Sequence, residues 1–243
     1  MISLIMINTS NILSCPKKPE LLILNTLQFQ TITMRRFPIY ILIDCSESMV
    51  GEPMEALNNG IQAFYTALRK DPYMLESAYI SVIAFANSVR RIVPLTEISE
   101  FWLPVSFNAT GGQANLGKAL QTVAEYADRD VVKSTCEVKG DYRPMVIIMT
   151  AGLLSDIKQF ELGLQAFNTK KWGLVLTCAA GPYANQAVLH RITEHVVNLE
   201  GVDAMSFTSL FRWDDDVEVS SISSRLIGDD EMLPPPPSVI AFS

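Results

Sequence analysis

Short apolar runs alternate with longer amphipathic stretches from Pro38 onward. Runs rich in β-branched residues predict buried strands at 39–43, 79–85, 145–149 and 174–179, and shorter strands at 89–95 and 196–199. Apolar residues at helical spacing predict helices over 55–69, 116–132, 158–168, 186–193 and 206–217. Because strands and helices alternate, the pattern predicts a doubly wound α/β fold around a mostly parallel sheet. The turn at 86–88 favours one antiparallel edge strand at 89–95.

The pattern also divides the chain into three parts. Residues 1–33 show no clear periodicity and are interpreted as an N-terminal extension, so the predicted domain covers 34–219. The last segment, 220–243, is rich in serine and proline, contains four consecutive prolines at 234–237, and is predicted to be disordered. With 243 residues, 49% of them hydrophobic, the chain can bury one full core.

Composition narrows the classes of partner. A formal net charge of −7 and a pI near 4.9 argue against nucleic acid, which usually binds clustered lysine and arginine. No apolar run approaches the ~18 residues of a membrane-spanning helix, so no membrane partner is expected. Four cysteines without C-x-x-C spacing indicate a reducing compartment, and the expected location is the cytoplasm.

Polar residues directly follow the first buried strand. Asp44, Ser46 and Ser48 form a D-x-S-x-S turn, and ligands of open α/β sheets bind beyond the carboxyl ends of the strands. One carboxylate and two hydroxyls are hard oxygen ligands suited to Mg²⁺. The alternative is an ordinary strand-to-helix turn, in which serine and aspartate are favoured as helix caps.

This D-x-S-x-S turn after a central strand resembles the von Willebrand factor A family over about 34–217. The resemblance implies a Rossmann-like fold and a metal-ion-dependent adhesion site, completed by a threonine from a second loop and an aspartate after a later strand. Further segments are similar to the TerY-type tellurium-resistance proteins of bacteria. They are Met34-Arg35-Arg36-x-Pro38, Gly51-Glu52-Pro53, Asp71-Pro72-Tyr73, Lys139-Gly140-Asp141, Cys178-Ala179-Ala180-Gly181-Pro182 and the four prolines.

Two alanines depart from the family's pattern. Ala114 occupies the position of the metal-binding threonine, and Ala151 occupies that of the second carboxylate. Asp44 then faces a divalent ion as the one certain carboxylate, so we expect a degenerate site that binds Mg²⁺ weakly or not at all. No cofactor is certain.

Five other polar residues of these loops are candidate partner-binding residues. Thr110, Gln113 and Asn115 could supply an oxygen after a rearrangement of their loop. Glu47 either adds charge near the site or points to solvent, and Asp156 either adds charge or caps the following helix.

The favoured function is a non-catalytic interaction module that docks a protein partner through loops 44–51, 110–117 and 151–156. The TerY-type resemblance implies a role in tellurite resistance or a related stress response, alongside a kinase and a phosphatase. One alternative is a scaffold that still binds Mg²⁺ or Ca²⁺. Another is a hydrolase using Ser46 or Ser48, but the two histidines, His190 and His195, lie far from both in sequence, and no G-x-S-x-G elbow is present.

Overall fold

The computed structural model describes residues 35–104, 106–136 and 138–199. Six strands form one sheet: β1 (Phe37–Asp44), β2 (Ala78–Phe85), β3 (Val89–Glu97), β4 (Met145–Thr150), β5 (Leu174–Ala179) and β6 (Val196–Asn198). The α-helices are α1 (Glu52–Lys70), α2 (Pro72–Ser77), α3 (Leu116–Asp130), α4 (Ile157–Asn168) and α5 (Gln186–Leu189), and a 3₁₀ helix spans Glu47–Met49.

The strands lie in the order β3-β2-β1-β4-β5-β6. β1 pairs in parallel with both β2 and β4, and β3 pairs antiparallel with β2 at one edge. The predicted fold class, a mostly parallel doubly wound sheet with one antiparallel edge strand, is confirmed. The carboxyl ends of the five parallel strands therefore lie at the same end of the sheet, which we call the carboxyl edge.

Alternate side chains of β1 point to opposite faces of the sheet, as the period of a strand requires. Ile39, Ile41 and Ile43 pack into the core that contains the apolar residues of α1. Tyr40 and Leu42 pack into a second core, formed with α3 and α4. All eight residues of β1 are buried, which explains why its sequence reads as a continuous apolar run.

Helices α3 and α4 approach each other closely through two glycines. A Cβ atom built on Gly163 would lie 1.9 Å from the carbonyl oxygen of Gly117, which is far inside van der Waals contact. Only glycine fits there, and the close approach packs the first turn of α3 against α4.

The amino ends of the strands are joined by ion pairs. Arg36 donates from two nitrogens to the carboxylate of Asp141, at 2.9 and 2.6 Å. Arg91 pairs with Asp130 at 2.5 Å, and Asp130 also accepts a hydrogen bond from the hydroxyl of Tyr40. These contacts hold the loop before β4 and the end of α3 against β1 and β3.

Some predicted elements differ from the structure. α2 was not predicted, because six residues are too few for helical periodicity, although Asp71 caps it by accepting from the N–H groups of Tyr73 and Met74. α5 ends at Leu189 rather than near residue 193, because the chain turns there to enter β6, where the carbonyl of His195 accepts from the N–H of Thr177.

Several predictions lie outside the described residues: the helix at 206–217, the extension 1–33 and the tail 220–243. None of the described helices combines the length and the apolar character needed to cross a bilayer.

Candidate functional site

The loops after the strands interlock at the carboxyl edge of the sheet. The N–H of Cys45 donates to the carbonyl of Phe85 at 2.8 Å, so the loop after β1 lies against the end of β2. The N–H of Thr110 donates to the carbonyl of Cys45 at 2.8 Å, and the N–H of Glu47 donates to the carbonyl of Gly112 at 2.9 Å. Backbone hydrogen bonds therefore join loops that are more than 60 residues apart in sequence.

Asp44 lies at the centre of this edge and is completely buried. Its Oδ1 accepts from the N–H of Ser46 at 2.9 Å, and its Oδ2 accepts from the hydroxyl of Thr150 at 2.5 Å. Burial raises the pKa of the Asp44 carboxyl above its ordinary value, and the hydrogen bonds from Thr150 and Ser46 oppose that rise. Both carboxyl oxygens thus have partners within the protein.

The two serines of the D-x-S-x-S turn lie beside each other. Ser46 Oγ and Ser48 Oγ are 2.9 Å apart and share a hydrogen bond. Ser46 is 1% exposed, whereas Ser48 is partly exposed. The structure therefore places the carboxylate and both hydroxyls of the predicted motif in one turn, with Ser48 nearest to solvent.

The two alanines that depart from the family's pattern lie in the adjoining loops, and both are buried. Ala114 packs with the core residues of the α3 side, and its carbonyl accepts from the hydroxyl of Ser155 at 3.0 Å. Ala151 directly follows Thr150, and its carbonyl accepts from the N–H of Asn185 at 2.8 Å. Neither side chain carries an oxygen.

Three of the five candidate partner-binding side chains, those of Thr110, Asn115 and Asp156, make hydrogen bonds within the protein. Thr110 Oγ1 donates to the carbonyl of Cys45 at 3.2 Å, and the side chain of Asn115 bonds to Asn87 and Ser155. Asp156 caps α4 by accepting from two N–H groups, so the capping alternative is confirmed. Glu47 and Gln113 are exposed at the surface of the loops.

Thr150 and Asn87 were not identified from the sequence. Thr150 donates to Asp44 and accepts from the N–H of Gly152 at 3.0 Å, and so joins the ends of β1 and β4. Asn87 Oδ1 accepts from the N–H of Gln113 at 2.8 Å. The sequence did contain one signal for Thr150: like Asp44, it is a polar residue at the carboxyl end of a buried strand.

The two histidines lie near β5 and β6, the last two strands in the sequence. His190 is exposed and ends α5, and His195 lies 3.8 Å from the carboxylate of Glu194. Within the described residues, no group of three or more histidine, cysteine, aspartate or glutamate side chains is placed to hold a metal ion.

Residues 39–153 match the family model of the von Willebrand factor type A domain. Among solved structures, the chain is similar to the manganese-loaded TRAP protein of Plasmodium vivax, with 14% identity, a TM-score of 0.52, and 73% of this chain and 72% of that chain covered. That likeness shows the fold. No curated protein matches the sequence of this chain.

A second similar structure is proximal thread matrix protein 1 from the mussel byssus with a zinc-occupied MIDAS motif, at 19% identity and a TM-score of 0.47. The alignment covers 72% of this chain and 46% of the mussel protein, so the chain spans less than half of that protein's length. The family model thus matches the part of the chain from β1 to the loop after β4, and the likeness to the TRAP protein concerns the fold alone.

Proposed function

We propose that the chain is a non-catalytic protein-interaction module, which docks a protein partner through the loops at the carboxyl edge of its sheet. Its adhesion site is degenerate and binds Mg²⁺ weakly or not at all. The observation that supports this proposal is the state of Asp44, the one carboxylate of the motif, whose two oxygens accept hydrogen bonds from Ser46 and Thr150 in a completely buried position.

The donor set does not suit a tightly held divalent cation. Mg²⁺ requires near-octahedral oxygen coordination and is normally bound through one or two carboxylates. Here a single carboxylate would have to exchange its internal hydrogen bonds for the ion, and the side chains of Ala114 and Ala151 contribute no oxygen. The two positive charges of the ion would also face a single negative charge from the motif, which is electrostatically unfavourable.

The same loops suit direct docking. Hydrogen bonds between the loop after β1 and the loop at 110–117 hold the surface in one arrangement before a partner arrives. Such preorganisation lowers the entropy lost on binding. Glu47, Gln113 and the partly exposed Ser48 offer polar groups to a partner, so the interface is expected to form through direct hydrogen bonds rather than through a shared ion.

The environment of Ser46, one of the two candidate nucleophiles, disfavours a hydrolase. Ser46 is 1% exposed, and its hydroxyl is paired with that of Ser48. Nucleophilic catalysis needs a serine that is open to substrate and bonded to a general base. If the Ser46→Ala variant abolished a hydrolytic turnover in a substrate screen, the non-catalytic assignment would be wrong.

The cellular role that we propose rests on the resemblance to TerY-type proteins. It is a cytoplasmic function in bacterial tellurite resistance or a related stress response, with a kinase and a phosphatase as candidate partners. Deletion of the gene should lower the tellurite concentration that stops growth, and complementation should restore it. Equal tellurite sensitivity with and without the gene would contradict this role.

Isothermal titration calorimetry with Mg²⁺ and Mn²⁺ tests the degenerate site. The unmodified chain should show no tight binding, whereas the Ala114→Thr/Ala151→Asp double variant, which restores a hydroxyl and a carboxylate, should bind more tightly. The single variants Ala114→Thr and Ala151→Asp are the controls, because each restores only one of the two missing oxygen groups. Tight Mg²⁺ binding by the unmodified chain would instead support the alternative of a functional metal-binding scaffold.

A further inference from the structure

Three loops at the carboxyl edge each expose a large apolar side chain. Val50, Leu153 and Tyr183 are 64%, 47% and 90% exposed, and they follow β1, β4 and β5. Single exposed apolar residues are ordinary on protein surfaces. These three belong to strands that are consecutive in the sheet, so their loops are neighbours. We call Val50, Leu153 and Tyr183 the apolar rim.

Contacts between the loops show that the three residues of the apolar rim lie on adjoining loops. A Cβ atom on Gly181 would lie 2.7 Å from Pro53, so the loop that carries Tyr183 lies against the start of α1. The N–H of Asn185 donates to the carbonyl of Ala151, which joins the loops of Tyr183 and Leu153. Large apolar side chains exposed on neighbouring loops are a feature of interaction sites.

The charges around the apolar rim are negative. Glu47 and Glu52 are exposed on either side of Val50, and Asp156 is exposed three residues after Leu153. The five described loops at this edge, 44–51, 86–88, 106–115, 151–156 and 180–185, contain no lysine or arginine. Arg90 lies near the carboxyl end of β2, and Lys118 and Lys158 lie in the first turns of α3 and α4, so these three cations lie outside the five loops.

Basic residues gather at the other edge of the sheet. Arg35 and Arg36 precede β1, Arg69 and Lys70 end α1, and Lys170 and Lys171 follow α4. The loops around the apolar rim therefore contain acidic residues and no cations, whereas a larger group of cations lies at the opposite end of the sheet. A partner that contacts these loops meets acidic side chains, which favours positive charge on the partner.

We infer that the apolar rim docks a segment of another protein that carries lysine or arginine beside apolar side chains. This inference rests on the proposed function, because it names the partner class of the same loops. In a site that holds its ion, the cation attracts an acidic group of the partner. In this chain the exposed carboxylates of Glu47 and Glu52, together with Asp156 at the start of α4, favour the opposite sign, and Tyr183 supplies the large aromatic anchor typical of binding hot spots.

Selection from a random peptide library on the purified full-length chain tests the inference. We expect the selected peptides to be enriched in lysine or arginine next to apolar residues, and to bind equally with Mg²⁺ and with EDTA. Their affinity should fall as the salt concentration rises, because it depends on opposite charges. Tyr183→Ser and, separately, Glu47→Lys/Glu52→Lys should each weaken binding about tenfold or more.

Matched controls lie at the other edge of the sheet. Trp102 is 87% exposed, close to the exposure of Tyr183, and follows β3 near the amino end of β2; Glu76 is exposed on α2. Trp102→Ser and Glu76→Lys should leave peptide binding unchanged. Circular dichroism melting confirms that each variant is folded.

Other outcomes distinguish the failure of this inference from that of the proposed function. Acidic peptides that bind only with Mg²⁺ would overturn the proposed degenerate site. If acidic or uncharged peptides bound without metal and required Tyr183, only the inferred basic character of the partner would be wrong. A selection that yielded no peptide sensitive to the variants of the apolar rim would also overturn this inference alone. Sedimentation showing a dimer that Glu47→Lys/Glu52→Lys dissociates would identify a second copy of this chain as the occupant and overturn the inference.

Discussion

Replacement of Thr150 by valine tests whether its hydroxyl holds Asp44 in place. Valine keeps the shape and the β-branching of threonine but removes the hydroxyl, which donates to Asp44 at 2.5 Å and accepts from the N–H of Gly152 at 3.0 Å. Both partners are buried. A hydrogen bond to a charged group contributes ~1.5–3 kcal/mol and a neutral one ~0.5–1.5 kcal/mol, so the variant should lose about 2–4 kcal/mol of unfolding free energy.

Urea unfolding followed by circular dichroism measures this loss. Thr177→Val is the matched control, because Thr177 is also a completely buried threonine in a parallel strand. Its hydroxyl makes one long contact, 3.4 Å from the carbonyl of His195. We expect this control to lose less than about 1 kcal/mol, since a contact of that length is a weak hydrogen bond.

Equal losses in Thr150→Val and Thr177→Val would refute the reasoning. They would mean that the bond between Thr150 and Asp44 contributes no more than an ordinary buried hydroxyl. In that case the argument that internal hydrogen bonds satisfy Asp44 in place of an ion would lose its energetic basis.

Three further predictions concern the fold around the site. Gly163→Ala should lower the free energy of unfolding in urea by at least about 1–3 kcal/mol, because the new methyl group meets the backbone of α3. Gly60→Ala is the control and should lower it less, because the added atom meets only the flexible side chain of Leu199. Asp141→Asn should lose about 1.5–3 kcal/mol, because the buried carboxylate accepts two hydrogen bonds from Arg36, and an unchanged urea midpoint would contradict this. Cys178 should resist iodoacetamide in the native protein at neutral pH, because burial raises its pKa to about 12 and keeps the thiol protonated. Mass spectrometry should detect its modification only after denaturation. Rapid labelling of the native protein would contradict its burial.

The order and type of most elements were predictable from the sequence, because burial on both faces gives β1 and β4 their continuous apolar runs. The six-residue α2 was not predictable, since it carries too short a pattern. The antiparallel edge strand β3 could be predicted because the short turn at 86–88 allows the chain to fold back along β2.

For the candidate site, the sequence determined the donor chemistry: a carboxylate at 44, hydroxyls at 46 and 48, and alanines at 114 and 151. Only the tertiary structure decided how these groups are used. Asp44 and Thr150 are 106 residues apart, and no local pattern indicates that their strands are adjacent and end at the same level. The apolar rim has the same origin, because Val50, Leu153 and Tyr183 become one surface only when parallel strands bring their loops to a common edge. Local sequence specifies side chains and periodicity, whereas strand order and register determine which distant side chains meet.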